Sequence, residues 1–204
     1  MRSLLLGLVT TLFAITTAAP TLAQGPPVDM AARLETMAQL ALLDGRWEGE
    51  GWHAEPGSAE RRSFRQTERV GPLLDGQIRL IEGRGYDAKG ARLFNAFAVL
   101  SPDGAGGYDL RSYAQGRVGT FKARLRAPGV MEWTIPAGPT RIVYLITVKD
   151  GVWEEVGDFI DADGKANRFF SMRLRRTADA SWPNPIASGR DAEPSSGDGA
   201  SRRS

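Results

Sequence analysis

The chain has 204 residues, of which 42% are hydrophobic, and its formal net charge is +2 at pH 7. This length and composition suit one globular domain with a sizeable core and additional tails. The absence of cysteine excludes disulfides, thiolate metal sites and a lipid-modified N-terminal cysteine. The nearly balanced charge, with no basic run longer than two residues, argues against nucleic acid as a partner.

Residues 1–23 have the order of a secretory signal peptide. Arg2 precedes a long uncharged stretch rich in leucine and alanine, and small residues stand at its end, before Gln24. The stretch is diluted by threonine, whereas a membrane anchor needs about 20 predominantly apolar residues. We therefore expect cleavage, no stable membrane insertion of the mature protein, and a periplasmic or secreted location. Residues 24–28 are interpreted as a linker.

An amphipathic helix is predicted directly after this linker. Asp29 is a suitable N-cap residue. Met30, Leu34, Met37 and Ala41 follow at spacings that place them on one helical face. The pattern predicts a helix of about 14 residues, roughly 20 Å long. Its apolar face needs a surface to lie on, for which the end of a barrel is suitable.

From Gly45 onward, two-residue alternation replaces the helical spacing and is interrupted by turn residues such as Asp150-Gly151. Such short connections leave no room for helical crossovers, so the strands should be antiparallel. The predicted fold class is therefore all-β, a closed or nearly closed up-and-down barrel of about ten strands with one N-terminal amphipathic helix. The predicted strands are 46–53, 60–70, 77–86, 91–101, 108–114, 117–127, 130–136, 140–149, 152–160 and 167–176.

The barrel domain is assigned to residues 29–177. After Arg176 the alternation stops, and the chain becomes rich in Ser, Gly, Pro, Asp and Arg. Residues 178–204 are accordingly interpreted as a disordered tail.

The first predicted strand is the most informative stretch. Gly45, Trp47, Gly49, Gly51 and His53 share one face by parity. Glycine is unfavourable inside a strand unless something must approach the backbone closely or the sheet must bend sharply. This strand therefore predicts a large ring at one end of the barrel wall, followed by a bare backbone.

The run from Leu43 to Gly51, Leu-x-Gly-x-Trp-x-Gly-x-Gly, together with the helix and the strand count, resembles the lipocalin/calycin superfamily and its exported, functionally uncharacterised bacterial branches. That resemblance implies that Trp47 closes the barrel floor, with Gly49 and Gly51 beside it. It also implies that an arginine from the end of the barrel lies across the Trp47 ring, and Arg173 or Arg175 is expected there.

The same run is similar to the opening signature of the nitrobindins, barrels that hold haem through an axial histidine late in the chain. His53 is the only histidine, and it lies in the first strand. The plainer interpretation of His53 is an interior or rim residue hydrogen-bonded to a neighbour. We expect no resident cofactor, and haem remains the alternative that the resemblance implies, with tyrosine as another residue able to ligate its iron.

Polar residues within apolar strands are the candidates for ligand binding, because ligand pockets are mostly apolar with a few polar groups. Arg111 and Tyr113 share a face and are suited to holding a carboxylate together. Charged strand residues commonly face water instead, and parity alone leaves open which face is inside. The candidates are His53, Arg84, Tyr86, Asn95, Arg111, Tyr113, Tyr144 and Glu155.

Three functions remain open at this point. The favoured one is an exported barrel that binds a small, mostly apolar molecule in its interior. The second is a haem-binding protein or enzyme, and the third is a non-catalytic interaction protein with a filled barrel. No catalytic residue or metal ligand is assigned, since one histidine and no cysteine leave few nucleophile and base pairs. Enzymatic turnover is the less favoured expectation.

Two predicted strands, 91–101 and 140–149, are apolar on both faces. A barrel wall that faces water should be polar on its outer side. We therefore expect either the N-terminal helix or a second copy of the chain, in a homodimer, to cover the outer surface of these strands.

Overall fold

The structure is a computed structural model that describes residues 29–55, 58–180 and 182. The predicted signal peptide and linker lie outside these residues, as does most of the predicted tail. Within the described ranges, no helix is both long enough and apolar enough to cross a membrane.

Ten antiparallel strands form a closed barrel in which each strand pairs with its neighbours in the chain and the first pairs with the last. This confirms the predicted fold class, and the strand bounds differ from the predicted ones by no more than three residues. The strands are β1 (Gly45–His53), β2 (Arg62–Leu73), β3 (Ile78–Tyr86), β4 (Arg92–Pro102), β5 (Tyr108–Ala114), β6 (Arg117–Ala127), β7 (Val130–Ala137), β8 (Thr140–Lys149), β9 (Val152–Ile160) and β10 (Ala166–Ala178).

The N-terminal helix, α1 (Met30–Ala38), is shorter than predicted. The Asp29 side chain caps it by accepting a backbone hydrogen bond of 3.0 Å from the first turn. The chain then tightens into a 3-10 helix, Ala41–Leu43. Met37 is buried, whereas Leu34 is 38% exposed. The helix therefore contacts the barrel through its C-terminal end rather than along a whole face.

This helix closes one end of the barrel, which we call the floor. The buried Arg79 of β3 pairs with Asp44, with Nε 2.8 Å from Oδ1 and Nη2 3.1 Å from Oδ2. Its Nη1 donates a hydrogen bond to the Met37 carbonyl. The Tyr108 hydroxyl donates to the Thr36 carbonyl at 2.9 Å. These bonds connect the carbonyl groups at the end of the helix to β3 and β5.

Trp47 lies at the floor, as predicted, and is 1% exposed. Its indole Nε1 donates to the Leu43 carbonyl at 2.9 Å. Its ring meets the Trp153 ring edge-on, with the centroids 5.7 Å apart. The floor is thus closed by two indoles and by the 3-10 helix.

Arg173 and Arg175, which were expected across the Trp47 ring, lie instead on the outer face of β10. Side chains alternate along a strand, and the fully buried Leu174 between them points inward. Arg173 forms an ion pair with Glu154 on the neighbouring strand, where both side chains are exposed.

The glycines of β1 allow β10 to approach closely, as their pattern predicted. A Cβ added at Gly51 would lie 2.6 Å from both the Phe64 ring and the Ser171 carbonyl oxygen. A Cβ at Gly49 would overlap the backbone of β10. Side chains at these two positions would therefore push the first and last strands apart.

The outer wall of β4 is not covered by the helix. Phe94, Ala98 and Leu100 point inward, while Leu93 and Phe97 are 45% and 36% exposed on the outer face. The helix packs against the floor of the barrel instead. Homodimer formation through this wall stays a prediction.

The structure places the beginning of the predicted tail against the barrel. Ala178 is the last residue of β10, and Trp182 lies on the outer face of β2. The Arg69 guanidinium stands 3.8 Å from the centroid of the Trp182 ring. Gly71 leaves room for this indole, since an added Cβ would lie 2.8 Å from Trp182 Nε1.

Replacing Arg79 with methionine should lower the free energy of unfolding by about 3 kcal/mol, because the change leaves the partly buried carboxylate of Asp44 without its cation. Arg173→Met is the matched control. It breaks an exposed pair and should change stability by less than about 1 kcal/mol. Urea unfolding measures both variants. Equal losses would show that the Arg79 network does not hold the floor.

Candidate functional site

The barrel interior contains a cavity of about 240 Å³ beyond the floor. This is slightly below the range of about 300–1,000 Å³ that is usual for pockets holding drug-sized ligands. Most of the lining is aliphatic or aromatic. The aromatic members are Phe94, Trp133, Tyr144, Trp153 and Phe170, and the polar members are Gln66, Glu68, Ser112 and Glu155.

Two of the polar groups come from alternate positions of β2. Gln66 and Glu68 stand between the buried Phe64 and Val70 and share their inward face. Gln66 Nε2 donates to Glu68 Oε1 at 2.6 Å. Within the described part of the chain, Gln66 Oε1 and Glu68 Oε2 are buried without a hydrogen-bond partner. Such groups are uncommon in folded proteins and often mark a site of function.

The carboxylate of Glu68 occupies space that a glycine leaves open. Gly83 of β3 is its partner in the strand register. A Cβ added at Gly83 would lie 2.6 Å from Glu68 Oε1. The absence of a side chain at this position therefore permits the carboxylate to lie along the inner wall.

The second carboxyl group belongs to Glu155 of β9, which is 8% exposed. Its Oε2 accepts a hydrogen bond from Trp153 Nε1 at 3.3 Å. Burial raises the pKa of Glu155 to about 7, against hydrogen bonds from the Trp153 and Trp133 indoles that lower it.

Burial also raises the pKa of Glu68, to about 8. The hydrogen bond from Gln66 acts in the opposite direction, while the charges of Glu155 and Glu82 raise the pKa further. Near neutral pH the cavity therefore contains carboxyl groups that are partly protonated and that influence each other's ionisation.

Aromatic rings form much of the remaining wall. Trp133 and Tyr144 are stacked, with centroids 4.2 Å apart and planes 6° from parallel. Tyr144 also meets the Phe170 ring edge-on at 5.8 Å. Burial and the charge of Glu155 raise the pKa of the Tyr144 hydroxyl, which keeps it a neutral phenol. The wall thus presents ring faces to the interior.

The structure brings Tyr144 and Glu155 into the cavity among the residues predicted to bind a ligand. His53 is half-buried at the end of β1, with its ring centroid 5.9 Å from that of Phe64, and is not part of the cavity lining. The others lie on the outer face of the barrel, because the residues that alternate with them point inward. These are Arg84, Tyr86, Asn95, Arg111 and Tyr113.

On the outer face several of these polar groups contact one another or nearby charges. Arg111 Nε donates to the Tyr113 hydroxyl at 2.8 Å, so the two share a face as predicted, but that face is exposed. Arg84 pairs with Glu82. None of these contacts reaches the interior cavity.

Sequence analysis missed Gln66 and Glu68. The available signal was their alternation with Phe64 and Val70, which assigns all four side chains to one face. A polar residue flanked two positions away by large apolar residues is placed inward by the strand period itself.

The cavity does not fit an enclosed haem. Its volume is below that of pockets for drug-sized ligands, and its lining includes no histidine. Tyr144, the phenol in the lining, is stacked on Trp133. Over residues 29–55, 58–180 and 182, no group of three or more His, Asp or Glu side chains is arranged to hold a metal ion.

No protein-family model and no curated protein matches this chain. Among solved structures, Rv2717c from M. tuberculosis is similar, with a TM-score of 0.56, 11% sequence identity, and coverage of 70% of this chain and 97% of that one. The S-type phycobiliprotein lyase CPES from Guillardia theta gives a TM-score of 0.47 at 10% identity, over 76% of this chain and 100% of that one. The likeness to Rv2717c shows the fold alone, a closed antiparallel barrel. The similarity to the nitrobindins stays a prediction.

Glu155→Gln should remove a loss of stability that wild type undergoes as pH rises from 4.5 to about 7. Between pH 4.5 and about 7, the unfolded chain loses a proton that folded Glu155 retains, so the free energy of unfolding falls as pH rises. The variant lacks this loss and should gain on the order of 3 kcal/mol relative to wild type between pH 4.5 and 8. Urea unfolding at several pH values measures the difference.

Glu132→Gln is the control with the opposite sign. Burial raises the pKa of Glu132, but its hydrogen bonds and ion pairs with Arg126 and Arg124 outweigh burial and lower it. Its stabilising contribution is present above the ordinary pKa and is lost as pH falls. The free energy of unfolding of this variant should therefore fall below that of wild type at neutral pH, and the difference should shrink in acid. Parallel pH profiles for the two variants would contradict the assignment of Glu155.

Proposed function

We propose that this barrel binds a small, largely apolar molecule in its interior. The observation that carries the proposal is a mostly apolar cavity of about 240 Å³ into which Gln66 and Glu68 bring buried oxygen atoms without partners. An empty apolar space and an unsatisfied buried acceptor both destabilise a folded protein. A ligand that fills the space and donates hydrogen bonds offsets both costs.

The volume suggests the size of the ligand. An engineered cavity of about 150 Å³ with an apolar lining binds benzene. A cavity of about 240 Å³ therefore suits one or two fused rings with a short side chain. The stacked rings of Trp133 and Tyr144 favour a flat molecule.

The alternatives have less support. A filled barrel that serves only as an interaction protein requires a solid interior, whereas this interior contains a cavity. Haem requires more space and an axial ligand in the lining. Export to the periplasm or the exterior belongs to the proposal as well, and it rests on the signal-like residues 1–23 alone.

Indole is a suitable probe because it is flat, neutral and carries one N–H donor. We expect it to bind and to shift the amide resonances of Ala98, Ser112 and Ile146, which belong to or adjoin the cavity wall. Ala98→Phe fills the cavity and should weaken binding by about tenfold or more. Ala127→Phe, at an exposed position of β6, is the matched control and should bind as wild type.

Nuclear magnetic resonance titration measures both the affinity and the location of the probe. Resonance shifts confined to the outer face, or equal affinities for the Ala98 and Ala127 variants, would contradict binding in the interior.

A further inference from the structure

We infer that the ligand of this cavity is an apolar amine, whose protonated amino group is held by Glu68, Gln66 and Glu155 while its rings lie against the aromatic wall. The inference rests on the proposed function, since it specifies the ligand class for the same cavity.

The ionisable groups that line the cavity with potential charge are acidic. Glu68 and Glu155 are carboxylic acids, and among the described residues that line the cavity none is Lys, Arg or His. The nearest basic residues of the same strands point outward, where Arg69 pairs with Glu82 at 2.8 Å. A buried carboxylate without a cation is costly, so a ligand that brings a positive charge removes a cost that the protein leaves uncompensated.

The unpartnered atoms are both acceptors when Glu68 is ionised. Gln66 Nε2 is committed to Glu68, which turns Gln66 Oε1 away from that bond. Gln66 Oε1 and Glu68 Oε2 then remain buried without donors. An ammonium group carries three N–H donors and no acceptor, whereas a hydroxyl offers one donor and a ligand carboxylate offers none. The amine is therefore the head group that matches this set of oxygen atoms.

The aromatic wall favours the same ligand. A cation within about 6 Å of a ring centroid is attracted by the negative face of the ring, most strongly for tryptophan. Trp133 and Trp153 both line the cavity beside Glu155. Rings and carboxylates thus line the same cavity, so one ligand with an apolar body and a charged head group can contact both.

Binding of such a cation should release protons. The carboxyl groups are partly protonated near neutral pH for reasons of burial, mutual repulsion, and the nearby charge of Glu82. Gln66 and the two indoles favour ionisation, and Tyr144 stays neutral. A cation stabilises one carboxylate, so affinity should rise with pH from about 6 to 8, below the pKa of about 10 that is ordinary for an alkylamine.

Three probes of one shape separate the head groups: tryptamine, tryptophol and indole-3-propionate, which end in an ammonium, a hydroxyl and a carboxylate. Calorimetric titration of the full chain near pH 7.5 should show tryptamine binding at least about tenfold more tightly than tryptophol, with indole-3-propionate the weakest. Titration in two buffers of different ionisation heat should show proton release with tryptamine.

Glu68→Gln and Glu155→Gln should each weaken tryptamine about tenfold and leave tryptophol nearly unchanged. Glu154→Gln is the matched control, because Glu154 is adjacent in sequence but exposed on the outer face. Glutamine retains the size and an acceptor at each position, and urea unfolding checks that the variants fold.

If tryptophol binds as tightly as tryptamine, or if no proton is released, the cavity binds ligands but the amine inference is wrong. If none of the three probes binds and indole does not bind either, both the proposed function and the amine inference are wrong. Equal loss of tryptamine affinity in the Glu154 and Glu155 variants would also overturn the inference.

Discussion

Closure of the barrel is the constraint on which the rest of this structure depends. Because β1 pairs with β10, the sheet has no free edge, and every strand side chain lies either inside or outside. The close approach at Gly49 and Gly51 makes that closure possible. Once the interior is defined, the alternation along β2 brings Gln66 and Glu68 inward, and the alternation along β10 sends Arg173 outward.

The strand bounds were predictable because the turns between them contain residues that favour tight hairpins. Asp150 and Gly151 have φ values of 51° and 70°, the positive values that a tight hairpin requires. The inside and outside of the wall were harder to predict, since β4 is apolar on both faces. Arg79 illustrates the remaining limit. Its partner Asp44 lies 35 residues away, and no local pattern shows that the helix end and β3 meet at the floor.

The floor and the cavity place opposite demands on buried charge. At the floor, Arg79 meets Asp44 in a well-formed pair, and the neighbouring carbonyl is also satisfied. In the cavity, Glu68 and Glu155 have no basic side chain beside them in the lining. The same barrel therefore compensates charge where it needs rigidity and leaves it uncompensated where an incoming molecule can supply the partner.

The bare backbone at Gly83 has a consequence for how this sequence can vary. Because Glu68 lies along the space that a side chain at position 83 would fill, the two positions constrain each other. A homologous chain with alanine or a larger residue at position 83 would have to replace Glu68 or move its carboxylate. Among related sequences, substitution at these two positions should occur together, and pairs that keep glycine with glutamate would mark the chains that share this interior.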